Sequence, residues 1–277
     1  MSLSTELDTG PETAPDKNNI TLVLIRGLLR EKRHWGDFPP HLMQAFESTS
    51  GKKVSVITVN IAGNGDRFKE QSSSSIGEMV EDLRRQVAGQ LGQDAGPLWL
   101  IALSMGGMIA TEWGHQYPDE VTGIVLINTS AAQFSPLYQR LKVSNLPAII
   151  RALCTKSSEV RESLILNITS NEYSDSPQVL ASWMDIAQTA PVTRENALTQ
   201  LRAAAAYKGR KSPPEVPVLI LASRQDRLVS AQCSKRIAEQ WRVPISEHHT
   251  AGHDLPLDAP QWLAQKILTF VCQQAPS

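Results

Sequence analysis

The stretch WLIALSMGGMIATEWG, residues 99–114, is an apolar run that reaches a serine and goes on as a helical pattern. Residues 99–103 have the length and apolarity of a strand buried on both faces, and 105–116 read as a helix. Between them lies Ala102-Leu103-Ser104-Met105-Gly106, which is G-x-S-x-G with alanine for the first glycine. A chain that leaves a strand and enters a helix within so few residues holds the serine in an unfavourable backbone conformation and projects its Oγ from the turn. Residues two places away must be small, because the strand and helix backbones pass close together; Ala102 and Gly106 both are. Met105 opens the helix, so its N–H lacks an intrahelical acceptor and can donate to an oxyanion formed at Ser104, with the helix dipole adding to the effect. An ordinary capping serine would sit at the same place, so the pentapeptide alone leaves both readings open.

Further apolar runs lie at 21–25, 54–59, 123–127 and 218–222, with a weaker one at 245–249. Amphipathic patterns at 38–47, 76–91, 231–241 and 261–272 alternate with them. That alternation predicts an α/β fold: a doubly wound, mostly parallel sheet of about six strands with helices on both faces. Ser75-Ile76-Gly77-Glu78 reads as a capping box opening the helix at 76. From 131 to about 211 no strand is evident. Helical patches at 135–143, 159–168, 179–189 and 194–207 are punctuated by Pro147, Pro177 and Pro191. The expected organisation is a core of 19–130 and 213–277, an inserted all-helical cap of 131–212, and a loose polar tail of 1–18.

The composition narrows the function classes. A formal net charge of −1 gives no basic excess for nucleic acid or an anionic membrane. No run approaches the length of a membrane span. The N-terminus lacks a basic start followed by an apolar stretch, so no signal peptide is expected. Three widely spaced cysteines suit a reducing compartment, and the expected location is cytoplasmic. Gly63-Asn64-Gly65 does not extend to a dinucleotide fingerprint, because Phe68 stands where a small residue is needed. His248, His249, His253, Asp254 and Asp258 have the composition of a metal cluster, but Gly252 and Pro256 disfavour the helix that His249/His253 spacing would need; no metal is expected.

With these stretches in view, the sequence resembles an α/β-hydrolase over about 19–130 and 214–272. The resemblance rests on Ile25-Arg26-Gly27-Leu28-Leu29 after the first strand, where the family usually has His-Gly, and on Asn60-Ile61-Ala62-Gly63-Asn64-Gly65-Asp66 after the second. It rests also on the Ser104 turn, on Ser223-Arg224-Gln225-Asp226-Arg227-Leu228-Val229, and on Ala251-Gly252-His253-Asp254. The order Ser, Asp, His is the one this fold implies, and each stretch follows a predicted strand, where open parallel sheets carry their sites. The resemblance implies Ser104 as nucleophile, His253 as its base, and Asp226 as the group that fixes the imidazole tautomer. Asp254 is a rival partner for His253, whereas Asn128, after the preceding strand, cannot supply a carboxylate. The second oxyanion donor implied is the N–H of Leu28, beside that of Met105, with Gly27 allowing a tight turn. Arg26 departs from the family pattern: it either hydrogen-bonds loop carbonyls or borders the pocket and attracts an anionic group. Trp183 and Met184 are candidate substrate contacts from the cap. Phe134, Leu137, Tyr138, Leu141 and Tyr207 line the pocket or pack the cap's own core.

The expected activity is a serine carboxylesterase acting on small to medium, largely apolar esters through an acyl-enzyme, with no cofactor. The same triad would also serve carbon–carbon bond hydrolysis, lactone opening or acyl transfer. A ligand-binding protein without turnover is the reading from another class. Ser104 excludes the relatives of this fold that use a carboxylate nucleophile.

Overall fold

The computed structural model describes residues 20–50, 54–91 and 98–274; the predicted tail of 1–18 lies outside them. Six strands form one sheet: β1 (Ile20–Ile25), β2 (Val54–Val59), β3 (Leu98–Leu103), β4 (Val121–Ile127), β5 (Val218–Ser223) and β6 (Ile245–His248). Their spatial order is β2-β1-β3-β4-β5-β6, and every pairing is parallel. The interior strands β1, β3 and β5 are buried at every position, which is why they read as unbroken apolar runs. The edge strand β6 is half-buried throughout, and its sequence signal is correspondingly weak.

The first crossover runs outward from β1 to β2, and the next returns past β1 to β3. The carboxyl ends of β1 and β3 therefore flank a topological switch point, where helices on opposite faces diverge and leave a crevice. On one face α1 (Phe38–Ser50) and α11 (Pro260–Gln274) pack Phe38, Leu42, Phe46, Leu263 and Ile267 against the strands. On the other, α2 (Ile76–Leu91), α3 (Met105–Gln116) and α9 (Ala231–Trp241) bury Val80, Leu83, Ile109, Trp113 and Ile237.

Between β4 and β5 the described chain is helical: α4 (Leu137–Arg140), α5 (Leu146–Cys154), α6 (Ser158–Thr169), α7 (Pro177–Thr189) and α8 (Arg194–Ala206). A short α10 (Leu255–Asp258) follows the last strand. Two local expectations are corrected. A helix at 146–154 lies outside the expected patches, and Pro147 and Pro177 punctuate the segment by opening α5 and α7, since proline at the first helical positions forgoes only an N–H that has no acceptor there. The box at Ser75 is half formed. Ser75 Oγ accepts from Glu78 N–H at 3.5 Å, but the Glu78 carboxylate takes the Ser73 hydroxyl rather than the Ser75 N–H. Among the described residues no helix is long and apolar enough to cross a membrane.

Candidate active site

Ser104 stands at the end of β3 with φ 57° and ψ −119°. Side chains rarely adopt this conformation, at a cost of about 1–3 kcal/mol. The surroundings hold it there: its N–H donates to the Ile127 carbonyl at 2.8 Å, and its own carbonyl accepts from Gly107 N–H at 2.9 Å and from the Thr129 hydroxyl at 2.8 Å. A Cβ on Gly106 would lie 2.4 Å from the Ile25 carbonyl oxygen, so the small residue is required by the approach of α3 to the end of β1. Gly27 is small for a related reason. A Cβ there would meet the Ser104 Cβ at 2.9 Å, and its φ lies outside the positive region, so close approach rather than a tight turn explains it. Leu29 and Asn128 also have positive φ, at 60° and 47°. Backbone strain thus gathers where β1, β3 and β4 end.

Asp226 follows β5 and His253 follows β6; both are buried. His253 Nδ1 lies 2.7 Å from Asp226 Oδ2. A carboxylate can only accept, so Nδ1 carries the proton and Nε2 is left with its lone pair. The other oxygen of Asp226 accepts from the N–H groups of Leu228 and Val229, each at 2.8 Å. The carboxylate therefore both closes its own turn and orients the imidazole.

Ser104, His253, Leu28 and Met105 line one cavity of about 210 Å³. The Ser104 hydroxyl, His253 Nε2 and the N–H groups of Leu28 and Met105 have no hydrogen-bond partner among the described residues. The four residues that line this one space thus keep these groups' bonding capacity unused, and such bonds commonly tighten only when substrate is present.

Arg26 and Asp254 settle each other's roles. The guanidinium forms a two-pronged pair with the carboxylate, Nη1 to Oδ1 at 3.0 Å and Nη2 to Oδ2 at 2.6 Å, and both side chains are buried. Arg26 borders the cavity with its charge already matched, stacked 5.0 Å from the Trp35 ring. Asp254 is held away from His253 by the same pair.

Trp183 and Met184 are not brought to the cavity wall. Trp183 packs with Leu166 and Ile186 inside the helical segment, under the Arg30 guanidinium at 4.0 Å. Phe134 stacks edge-on against Trp241, and Tyr207 packs on the core, whereas Leu137 and Leu141 do reach the cavity. The rings of His248 and His249 turn to the Ala251 N–H and to Arg224. Among the described residues no group of three His, Cys, Asp or Glu is placed to hold a metal ion.

Three residues make positioning contacts that the sequence reading did not assign to them. Asn128 donates to the His253 carbonyl at 2.9 Å while its Oδ1 accepts from Ser223 N–H at 2.8 Å. Asp258 accepts from Gly252 N–H at 2.6 Å, holding the histidine loop, and burial raises its pKa. Gln200, on α8, accepts from Leu29 N–H at 3.0 Å and donates to Asn64 and Ser72. Each looks in sequence like an ordinary polar residue of a turn or helix surface.

A model of the alpha/beta hydrolase family matches residues 22–266. The chain belongs to the α/β-hydrolase family. This α/β-hydrolase is 22% identical over 280 residues to the biotin biosynthesis bifunctional protein BioHC of Teredinibacter turnerae; the match takes 95% of this chain and 46% of that one. The chain thus spans about half the length of that relative. Among solved structures it resembles the carboxylesterase CesB of Bacillus subtilis, with a TM-score of 0.69, 21% identity and coverage of 95% of this chain and 86% of that one. It also resembles the enol-lactonase of Burkholderia xenovorans LB400, with a TM-score of 0.72, 17% identity and coverage of 92% of each chain. Likeness at these identities establishes the fold; the reaction has to be argued from the site.

Proposed function

We propose that this α/β-hydrolase is a serine esterase with Ser104 as nucleophile, His253 as general base and acid, and Asp226 as the group that orients it. The observation that carries the reading is the strained Ser104, set in one cavity with the free Nε2 of an Asp226-anchored imidazole and two unpartnered amides. Ser104 Oγ attacks the ester carbonyl as His253 Nε2 takes its proton. The imidazolium is stabilised by Asp226, and the oxyanion by the Leu28 and Met105 N–H groups. The proton then passes to the departing alcohol. Water, deprotonated by the same nitrogen, releases the acyl group and restores the hydroxyl.

The helices between β4 and β5 act in this reading as a cap. Leu141, Ile149, Leu153 and Ile165 close the cavity with apolar wall, which bounds the ester's size and excludes water. The cap also braces the machinery: Asn171 donates to the Thr250 carbonyl at 2.8 Å, and Asp254 N–H donates to Thr169 O at 2.8 Å. All three cysteines are free thiols, which supports a reducing, cytoplasmic setting.

A fluorophosphonate is expected to label the protein at Ser104. Ser104→Ala is expected to abolish labelling and to lower kcat/KM for short nitrophenyl esters by about ten-thousandfold or more. Labelling that survives Ser104→Ala would overturn the reading.

A further inference from the structure

Five charged side chains line the cavity: Arg26, Arg30, Arg140, Arg161 and Asp254. Four are cations, in a wall that is otherwise mostly aliphatic. Three of the four have a carboxylate partner, although two of them share one. Arg26 pairs with Asp254, and Arg30 and Arg161 share Glu162, at 2.7 and 3.3 Å. Arg140 is different. It is 8% exposed, and no carboxylate lies within ion-pair distance of it among the described residues. Its guanidinium reaches from α4 to the last turn of α8, where Nη1 donates to the Ala205 carbonyl at 2.9 Å and Nη2 donates to that of Ala204. Nε lies 3.5 Å from the Ser130 hydroxyl at the end of β4. Of a guanidinium's five N–H donors, these bonds take three and leave two.

A guanidinium does not shed its proton to escape burial. Desolvation depresses the Arg140 pKa. Helix-end carbonyls offset part of the burial cost through the dipole, but they carry partial charge only. A buried, unmatched cation is normally strongly destabilising. Here it sits in the wall of the space that holds Ser104 and His253.

We infer that Arg140 is the counter-ion site for a carboxylate carried by the substrate, so that the natural ester is an apolar body with one anionic end. The carboxylate could lie in the acyl half or in the alcohol half; the chemistry at Arg140 is the same. This inference rests on the serine-esterase reading of the same cavity. It moves the anion-attracting role considered for Arg26 to the cavity arginine that no carboxylate contacts among the described residues.

The test compares isosteric pairs. In the acyl pair, para-nitrophenyl hydrogen glutarate is set against para-nitrophenyl glutaramate. In the alcohol pair, the butyryl ester of para-hydroxybenzoate is set against that of para-hydroxybenzamide. The full chain is expected to prefer the anionic member of one pair by about tenfold to a hundredfold in kcat/KM, the range of a charge-assisted contact. Arg140→Met should erase that preference, leaving the neutral member within about threefold and fluorophosphonate labelling of Ser104 intact, and Arg140→Lys should restore part of it. Should Arg140→Met fail to fold, the unmodified protein still answers: free glutarate should slow labelling of Ser104 where glutaramide does not. No preference in either pair, a preference that survives Arg140→Met, or equal loss on both members would overturn the inference and leave the esterase reading standing. Absence of both labelling and turnover would sink the two together.

Discussion

The core and the helical cap are held by different forces. The core is held by apolar surface: two clusters, one on each face of the sheet, bury residues such as Leu22, Leu24, Leu100, Ile109 and Ile267 completely. The cap has one small cluster of its own, Leu166, Trp183 and Ile186, and among the described residues it carries seven of the eight large hydrophobic side chains that are exposed, from Leu137 to Leu198. Its seam with the core joins apolar contacts, such as Phe134 on Trp241 and Ala203 in the core cluster, to a set of buried polar bonds. Arg30 pairs with Glu162, Gln200 bonds Leu29, Asn64 and Ser72, and Asn196 bonds the Ser72 N–H and the Glu70 carbonyl. Apolar burial is indifferent to direction, whereas buried polar pairs demand geometry and are costly when broken. The core is therefore the part that sustains strain at Ser104, and the helical segment is the part tied to it by bonds that demand geometry.

The sharpest way to break that contrast is to unmatch the seam. Glu162→Gln leaves Arg30 buried with its charge unpaired and should destabilise the protein by about 3–5 kcal/mol. Limited proteolysis should then cut within the cap before it cuts the core. Loss of both together would show that the two parts are a single cooperative unit.

A smaller effect is expected inside the core. Gly106→Ala places a methyl 2.4 Å from the Ile25 carbonyl oxygen, a clash that costs about 1–3 kcal/mol and pushes the start of α3 away from β1. Urea unfolding should show the loss, and kcat should fall more than KM rises, because the Met105 amide moves with the helix. An unchanged urea midpoint would mean that the close approach of α3 to β1 carries no strain.

The smallest effect is pH-dependent and belongs to the seam. Burial, with the charges of Arg30 and Arg26, holds the His34 pKa well below its ordinary value near 6.5. Arg30 can only donate, so it bonds the His34 Nε2 lone pair at 3.0 Å and favours the neutral ring. The folded state then binds fewer protons than the unfolded chain below about pH 6.5. Stability from this group is fully present above that value and falls as pH drops through it, by at most about 1.4 kcal/mol per pH unit. His34→Gln should flatten that part of the acid limb relative to the parent; parallel limbs would sink the assignment.

The legible features of this protein were those written in neighbouring residues. Strand and helix alternation shows in the apolar period, and the helices at 76–91, 105–116 and 231–241 begin and end where the pattern places them. The Ser104 turn is legible because small residues two places away are a local steric demand. What was illegible depends on segments far apart in the chain. Nothing near Arg26 announces a partner 228 residues away, and nothing near Gln200 announces a loop 171 residues before it. Trp183 carries the same helical spacing whether it faces a cavity or its own cap.

The sequence by itself determined the α/β alternation and the strained bend at Ser104, because each follows from sterics and periodicity within a few residues; the choice of Asp226 and His253 beside Ser104 came from the family resemblance. Only the tertiary structure decided which charges are matched. A buried cation is neutral in effect or exposed to a ligand according to what distant chain lies against it, and that is how Arg26 became part of the frame while Arg140 was left facing the cavity.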